Sequence, residues 1–183
     1  VIDPGDDFDY IWSLIQEHEL QVQSILHTHA HIDHIGATAA LAEATQAKTY
    51  LHPDDTFLHQ MLKEQAQMIG LPAPRSGPID EDLHDNLSIK FGAFELGVLH
   101  TPGHSPGSVC FCLEKEDLCF SGDTLFSGSI GRTDLWGGDF EVIKNSIQDR
   151  LYTMHGSVEV IPGHGPNTHI DVEKRSNPFV RLA

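Results

Sequence analysis

Three histidines and one aspartate fall within the run Thr28-His29-Ala30-His31-Ile32-Asp33-His34. Neutral imidazole and carboxylate are the donors that a borderline Lewis acid such as zinc prefers. Closing two metal sites takes further ligands from elsewhere in the chain. Three candidates stand in similar surroundings: His104 in Thr-Pro-Gly-His-Ser-Pro-Gly, Asp123 in Phe-Ser-Gly-Asp-Thr and His164 in Ile-Pro-Gly-His-Gly-Pro. Each sits where an apolar, β-like run gives way to a Gly/Pro-rich loop. Water or hydroxide would complete the set. Two cations about 3.5–4 Å apart bring the pKa of a bridging water toward neutrality, which makes hydroxide available at pH 7. One of them also polarises a carbonyl and stabilises the developing oxyanion.

The elements that must position these residues follow from periodicity. Residues 7–19 read as a helix with Phe8, Ile11, Trp12 and Ile15 on one face. Ser24 to Thr28 read as a buried strand entering the histidine motif, residues 35–47 as an Ala/Gly-rich helix leaving it, and Lys48 to Leu51 as a short strand. Pro53 suits the first turn of a helix running to about Ile69. A loop over 70–82 precedes strands at about 87–91, 94–100, 108–114 and 117–121. The glycine-rich stretch 123–138 reads as one long loop. A helix over 140–153, a strand from Val158 to Ile161 and a short helix near 170–176 complete the chain. Strand and helix blocks thus occur twice, as in an α/β sandwich with helices on both outer faces.

Composition narrows the function. A length of 183 residues allows one domain with a sizeable core. No apolar run reaches the roughly 18–20 residues that span a bilayer, and no secretory leader is visible, so the expectation is a cytoplasmic protein without membrane attachment. The net charge is −16, from 11 basic and 27 acidic residues. That surface repels polyphosphate backbones and argues against nucleic-acid binding. Three cysteines, an odd number, argue against a disulfide framework. If Glu114 to Asp117 turn a hairpin, Cys112 faces Cys119 as a reduced, buried pair.

The His-x-His-x-Asp-His run, followed in order by His104, Asp123 and His164, resembles the metallo-β-lactamase superfamily over nearly the whole chain. The stretches Gly122-Asp123-Thr124-Leu125-Phe126, Gly131-Arg132-Thr133-Asp134, Gly137-Gly138-Asp139, Ile161-Pro162-Gly163-His164-Gly165-Pro166 and Asn177-Pro178-Phe179 are most similar to its short glyoxalase II-like hydrolases. The resemblance implies a four-layer αβ/βα sandwich with the metal site at one edge. It implies one metal on His29, His31 and His104, a second on Asp33, His34 and His164, and Asp123 bridging the two. Asp33 and Asp123 become the catalytic carboxylates. The cofactors implied are two divalent ions, zinc first, with iron or manganese accepted in the family. The implied reaction is hydrolysis of a glutathione thioester such as S-D-lactoylglutathione by a metal-bridging hydroxide. Arg132 becomes a candidate anchor for the anionic tail; the competing reading is an ion pair with Asp134 or Asp139 that locks the loop.

Two features depart from the two-domain members of that family. Residues 1–183 read as a single domain without their C-terminal helical domain. Val1-Ile2-Asp3-Pro4-Gly5 corresponds to a segment that there follows one or more N-terminal strands, and a sheet edge left open would invite a second copy as a homo-oligomer. The rival activity is a mononuclear iron persulfide dioxygenase on His29, His104 and Asp123, whose final histidine typically sits in Pro-Ala-His-Asp-Tyr. Pro162-Gly163-His164-Gly165 favours the hydrolase. A lactonase would use the same ligands. A catalytically dead scaffold is the non-enzymatic alternative, and the complete ligand set argues against it.

Overall fold

The structure, a computed structural model, describes residues 1–182. The chain divides into two compact units, Val1–Leu83 and the residues from His84 onward.

In the first unit the Asp7 side chain accepts from the Tyr10 N–H at 3.2 Å and starts α1 (Phe8–Glu17). Its apolar face carries Phe8, Ile11, Trp12 and Ile15 against Ile25, Leu41 and Ala42. β1 (Ser24–Leu26) leads through the histidine motif into α2 (Ile32–Ile35) and α3 (Thr38–Thr45). The helix expected over 35–47 forms as α3, which begins three residues later, and a separate short α2 forms within the histidine motif. The break between α2 and α3 comes with a competing hydrogen bond. A Cβ on Gly36 would lie 2.3 Å from the Gly5 carbonyl oxygen, and the Ala37 N–H donates to Pro4 O at 2.9 Å. The Pro4 carbonyl thus takes the N–H that a continuous helix would direct to Asp33 O. β2 (Lys48–Leu51) runs parallel to β1. The long helix expected from Pro53 is a 3₁₀ turn, Pro53–Asp55, followed by α4 (Thr56–Gln60) and α5 (Leu62–Ile69), bent at Met61, where ψ is 15°. β3 (Glu81–Asp82) adds parallel to β2, giving a sheet in the order β1-β2-β3.

The second unit opens with an antiparallel run: β4 (Ser88–Phe91), β5 (Phe94–His100), β6 (Val109–Leu113) and β7 (Leu118–Gly122). The register pairs Cys112 with Cys119 across β6 and β7, with the sulfurs 3.6 Å apart. All three cysteines are buried and free. The expected loop over 123–138 contains a small hairpin, β8 (Leu125–Phe126) and β9 (Ser129–Ile130). α6 (Phe140–Asp149) is capped by Asp139 and ends four residues before the expected boundary, with Leu151–Thr153 tightening into a 3₁₀ turn. β10 (Glu159–Pro162) joins β7 in parallel and β11 (Thr168–His169) closes the sheet in the order β11-β10-β7-β6-β5-β4. α7 (Ile170–Ser176) follows. Ile143, Ile147, Leu151 and Ile170 pack against Cys110, Leu125 and Val160 from the strands and the hairpin. Burying such side chains contributes about 1.5–3 kcal/mol each.

α7 also holds the hairpin by polar contacts. Glu173, 1% exposed, accepts from the Gly128 N–H at 3.0 Å, from Thr168 Oγ1 at 2.6 Å and from Asn177 Nδ2 at 2.8 Å. Asn177 Nδ2 donates further to Ser129 O at 3.0 Å. Among the described residues no helix is long and apolar enough to cross a membrane.

Candidate metal centre

The first unit supplies four of the seven predicted ligands as β1 runs into α2. His29, His31 and His34 are buried, with the His29 ring centroid 4.1 Å from that of His34 and 4.7 Å from that of His31. Asp33 is more open, its side chain 54% exposed, with Oδ2 3.9 Å from His34 Nε2. One carboxylate orders two of these rings. Asp3 Oδ1 accepts the Thr28 N–H at 2.7 Å, and Asp3 Oδ2 accepts both Thr28 Oγ1–H at 2.6 Å and His34 Nδ1–H at 3.0 Å. Because the Thr28 hydroxyl gives its hydrogen to Asp3, its oxygen accepts from His29 Nδ1–H, 3.0 Å away. Both rings therefore carry their proton on Nδ1 and offer the Nε2 lone pair. Asp3 adopts φ 47°, a left-handed conformation that aspartate tolerates better than most residues.

His27, one strand position earlier on β1's continuation, has different partners. Its Nδ1–H donates to Tyr50 O at 2.8 Å and its Nε2 accepts from Thr38 Oγ1–H at 2.7 Å. Complete burial pushes its pKa down to about 4, against the opposing pull of the Tyr50 carbonyl and the Asp3 carboxylate. It is a neutral core histidine. His100 donates through Nε2 to Pro106 O at 2.9 Å.

The second unit brings its three predicted ligands to one carboxylate oxygen. Asp123 Oδ2 lies 3.7 Å from His104 Nε2 and 3.7 Å from His164 Nε2. These separations are too long for hydrogen bonds. They are close to the spacing of two donors sharing one ion: tetrahedral bonds of about 2.0–2.2 Å put ligand atoms about 3.3–3.6 Å apart. The donor set, its geometry and its tautomers fit a divalent metal. His104 is fixed by its Nδ1–H, which donates to Arg132 O at 2.8 Å. Its loop lies on α6, because a Cβ on Gly103 (φ 129°) would fall 2.2 Å from the Ile143 nitrogen. The Phe126 ring stands edge-on to His164 with centroids 6.4 Å apart.

The Arg132 guanidinium makes a two-pronged contact with Asp134, Nε to Oδ1 at 2.7 Å and one terminal nitrogen to Oδ2 at 2.8 Å. The guanidinium beside Asp134 holds that carboxyl down at about 2. Both side chains are well exposed. Of the two sequence readings of the Arg132 side chain, the ion pair with Asp134 is the one present here, and its backbone carbonyl is what touches a predicted ligand. Asp3 and Thr28 were missed as partners of His29 and His34. Their one advance signal is an acidic residue in a turn-forming Asp-Pro-Gly, which is weak alone.

The family model described as the metallo-beta-lactamase superfamily matches residues 1–164. Hydroxyacylglutathione hydrolase GloC of Haemophilus influenzae is 38% identical over 98% of this chain and 86% of its own length. A solved structure of TTHA1623 in a di-iron-bound form is 42% identical with a TM-score of 0.90, covering 97% of this chain and 87% of that one. The structure of BLEG-1 B3 metallo-beta-lactamase is 39% identical with a TM-score of 0.91, covering 97% of this chain and 86% of that one.

Proposed function

From the membership of this chain in the metallo-β-lactamase superfamily, as a metallo-hydrolase with that family's α/β fold, we propose that it hydrolyses glutathione thioesters such as S-D-lactoylglutathione with two divalent metal ions. His29, His31 and His104 would hold one ion, Asp33, His34 and His164 the other, and Asp123 both. When bound, the ions supply an acidified water as nucleophile and a Lewis acid for the thioester carbonyl. The observation that supports the reading is the single Asp123 oxygen set equally, at 3.7 Å, from two imidazole Nε2 atoms, a spacing that suits donors to a metal ion.

The chain's own groups then have defined work. Asp3, through Thr28 and directly, keeps His29 and His34 in the Nδ1–H tautomer. The Arg132 carbonyl does the same for His104. The Arg132 side chain is the basic group of the glycine-rich loop, and an anionic glutathione tail approaching a chain of net charge −16 would compete with Asp134 for it. The relative named GloC supports the thioester class, and the di-iron relative supports iron beside zinc as the metal.

The test is elemental analysis of purified protein, paired with assays on S-D-lactoylglutathione, a β-lactam, a lactone and a glutathione persulfide with oxygen uptake recorded. Two metal ions per chain and thioester turnover are expected. One ion with oxygen consumption would replace this reading by the dioxygenase one, and β-lactam turnover alone would move the substrate class.

A further inference from the structure

The turn that carries His29 and His31 lies between β1 and α2, and Asp33 follows in the first turn of α2, so the peptide groups of the turn need partners from elsewhere. Three consecutive peptide units are gripped by two buried side chains. The His29–Ala30 unit donates through the Ala30 N–H to Asp55 Oδ2 at 3.0 Å. The Ala30–His31 unit accepts at Ala30 O from Gln65 Nε2 at 3.2 Å. The His31–Ile32 unit donates through the Ile32 N–H to Gln65 Oε1 at 3.0 Å. One carboxamide therefore holds the peptide planes on both sides of the His31 Cα. With Asp55 it fixes the backbone torsions of Ala30 and His31, and those torsions set where the His29, His31 and Asp33 side chains stand relative to one another.

We propose that Gln65 and Asp55 are positioning residues that preset the metal-ligand turn and thereby set metal affinity and coordination geometry. This rests on the reading that His29, His31 and Asp33 ligate metal. Three features favour it over simple satisfaction of a buried loop. Gln65 is 4% exposed and Asp55 0%, so solvent does not loosen either. Gln65 is itself fixed, since Nε2 also donates to Leu58 O at 2.8 Å. Ala30 is fully buried between the two histidines, so the turn has no room to relax if the grip is lost. The bend at Met61 serves the same end, because it lets α5 present Gln65 while α4 offers the Leu58 carbonyl.

The test compares wild type with Gln65→Met, which keeps the length and removes all three hydrogen bonds, and with the milder Gln65→Glu and Asp55→Asn, each of which keeps an acceptor for the turn. Zinc affinity is measured by competition with a chromophoric chelator, coordination by the visible absorption of the cobalt(II) form, and stability by urea unfolding of the metal-free chain. Gln65→Met should bind zinc about 10–100-fold more weakly and shift the cobalt bands, while Asp55→Asn recovers most of the wild-type affinity and spectrum. Should Gln65→Met fail to fold, Gln65→Glu, which loses the two donations to Ala30 O and Leu58 O, must show a smaller weakening and a band shift in the same direction. Unchanged affinity and bands, with only the metal-free chain destabilised, would overturn the proposal. A wild-type chain that takes up no metal would overturn the metal reading and the clamp with it; a wild type that binds and variants that bind equally well overturn the clamp alone.

Discussion

The Arg132 carbonyl oxygen receives the Nδ1 proton of His104 at 2.8 Å, so a loop 28 residues downstream decides which nitrogen of that histidine faces Asp123. The neighbouring Gly131 is what allows the approach. A Cβ there would lie 1.8 Å from the Asp123 carbonyl oxygen and 3.1 Å from His104 Nδ1.

Gly131→Ala should therefore displace backbone rather than a side chain, and act on Asp123 and His104 together. Metal retained after dialysis and kcat/KM for the thioester should both fall, with affinity down by about 10–100-fold or more. Full metal occupancy and wild-type turnover in this variant would show that the Arg132 carbonyl has no hold on the site.

His27 supplies a pH dependence of stability. Its folded-state pKa of about 4 lies below the unfolded value near 6.5, so the unfolded chain binds the extra proton. Stability is full above the unfolded value and is lost as pH falls from there toward the folded one. Between pH 7 and 5 the loss should be about 2 kcal/mol. Urea unfolding of the metal-free protein measures it, and His27→Gln should remove most of the slope.

Arg132→Ala separates the two readings of that side chain. An exposed ion pair contributes little to folding, so the thermal midpoint should stay put. Loss of a charge-assisted contact to substrate should lower kcat/KM by roughly 10–150-fold, mainly through KM, and less for an uncharged thioester. Equal losses on both substrates together with a lower thermal midpoint would make the residue a loop lock.

Cys110, Cys112 and Cys119 should titrate as three free thiols in denaturant when the protein is isolated away from air. Their burial predicts slow reaction with thiol reagents in the folded state. Recovery of a Cys112–Cys119 disulfide from protein never exposed to oxidant would contradict this.

The strands of the second unit are legible because alternating or continuous apolar runs bounded by turns have few other uses, and the candidate ligands stand out because each abuts such a turn. Other features were hidden for physical reasons. The break between α2 and α3 comes with a hydrogen bond from the Ala37 N–H to the Pro4 carbonyl, 33 positions away in sequence, which no local propensity encodes. The bend at Met61 interrupts a segment whose residues all suit a helix. The partners of His34 and His104 are a distant carboxylate and a main-chain carbonyl, and a main-chain carbonyl has no residue type to read.

The Glu173 and Asn177 contacts bear on how such a protein could be trimmed. The family match closes at residue 164, and a fragment cut there would keep every predicted ligand. It would lose both side chains that hold Gly128 and Ser129, and with them the anchorage of the hairpin whose Phe126 ring stands against His164. The smallest working piece is thus longer than the smallest recognisable one, and shortening from this end should fail at the hairpin before it touches a single ligand.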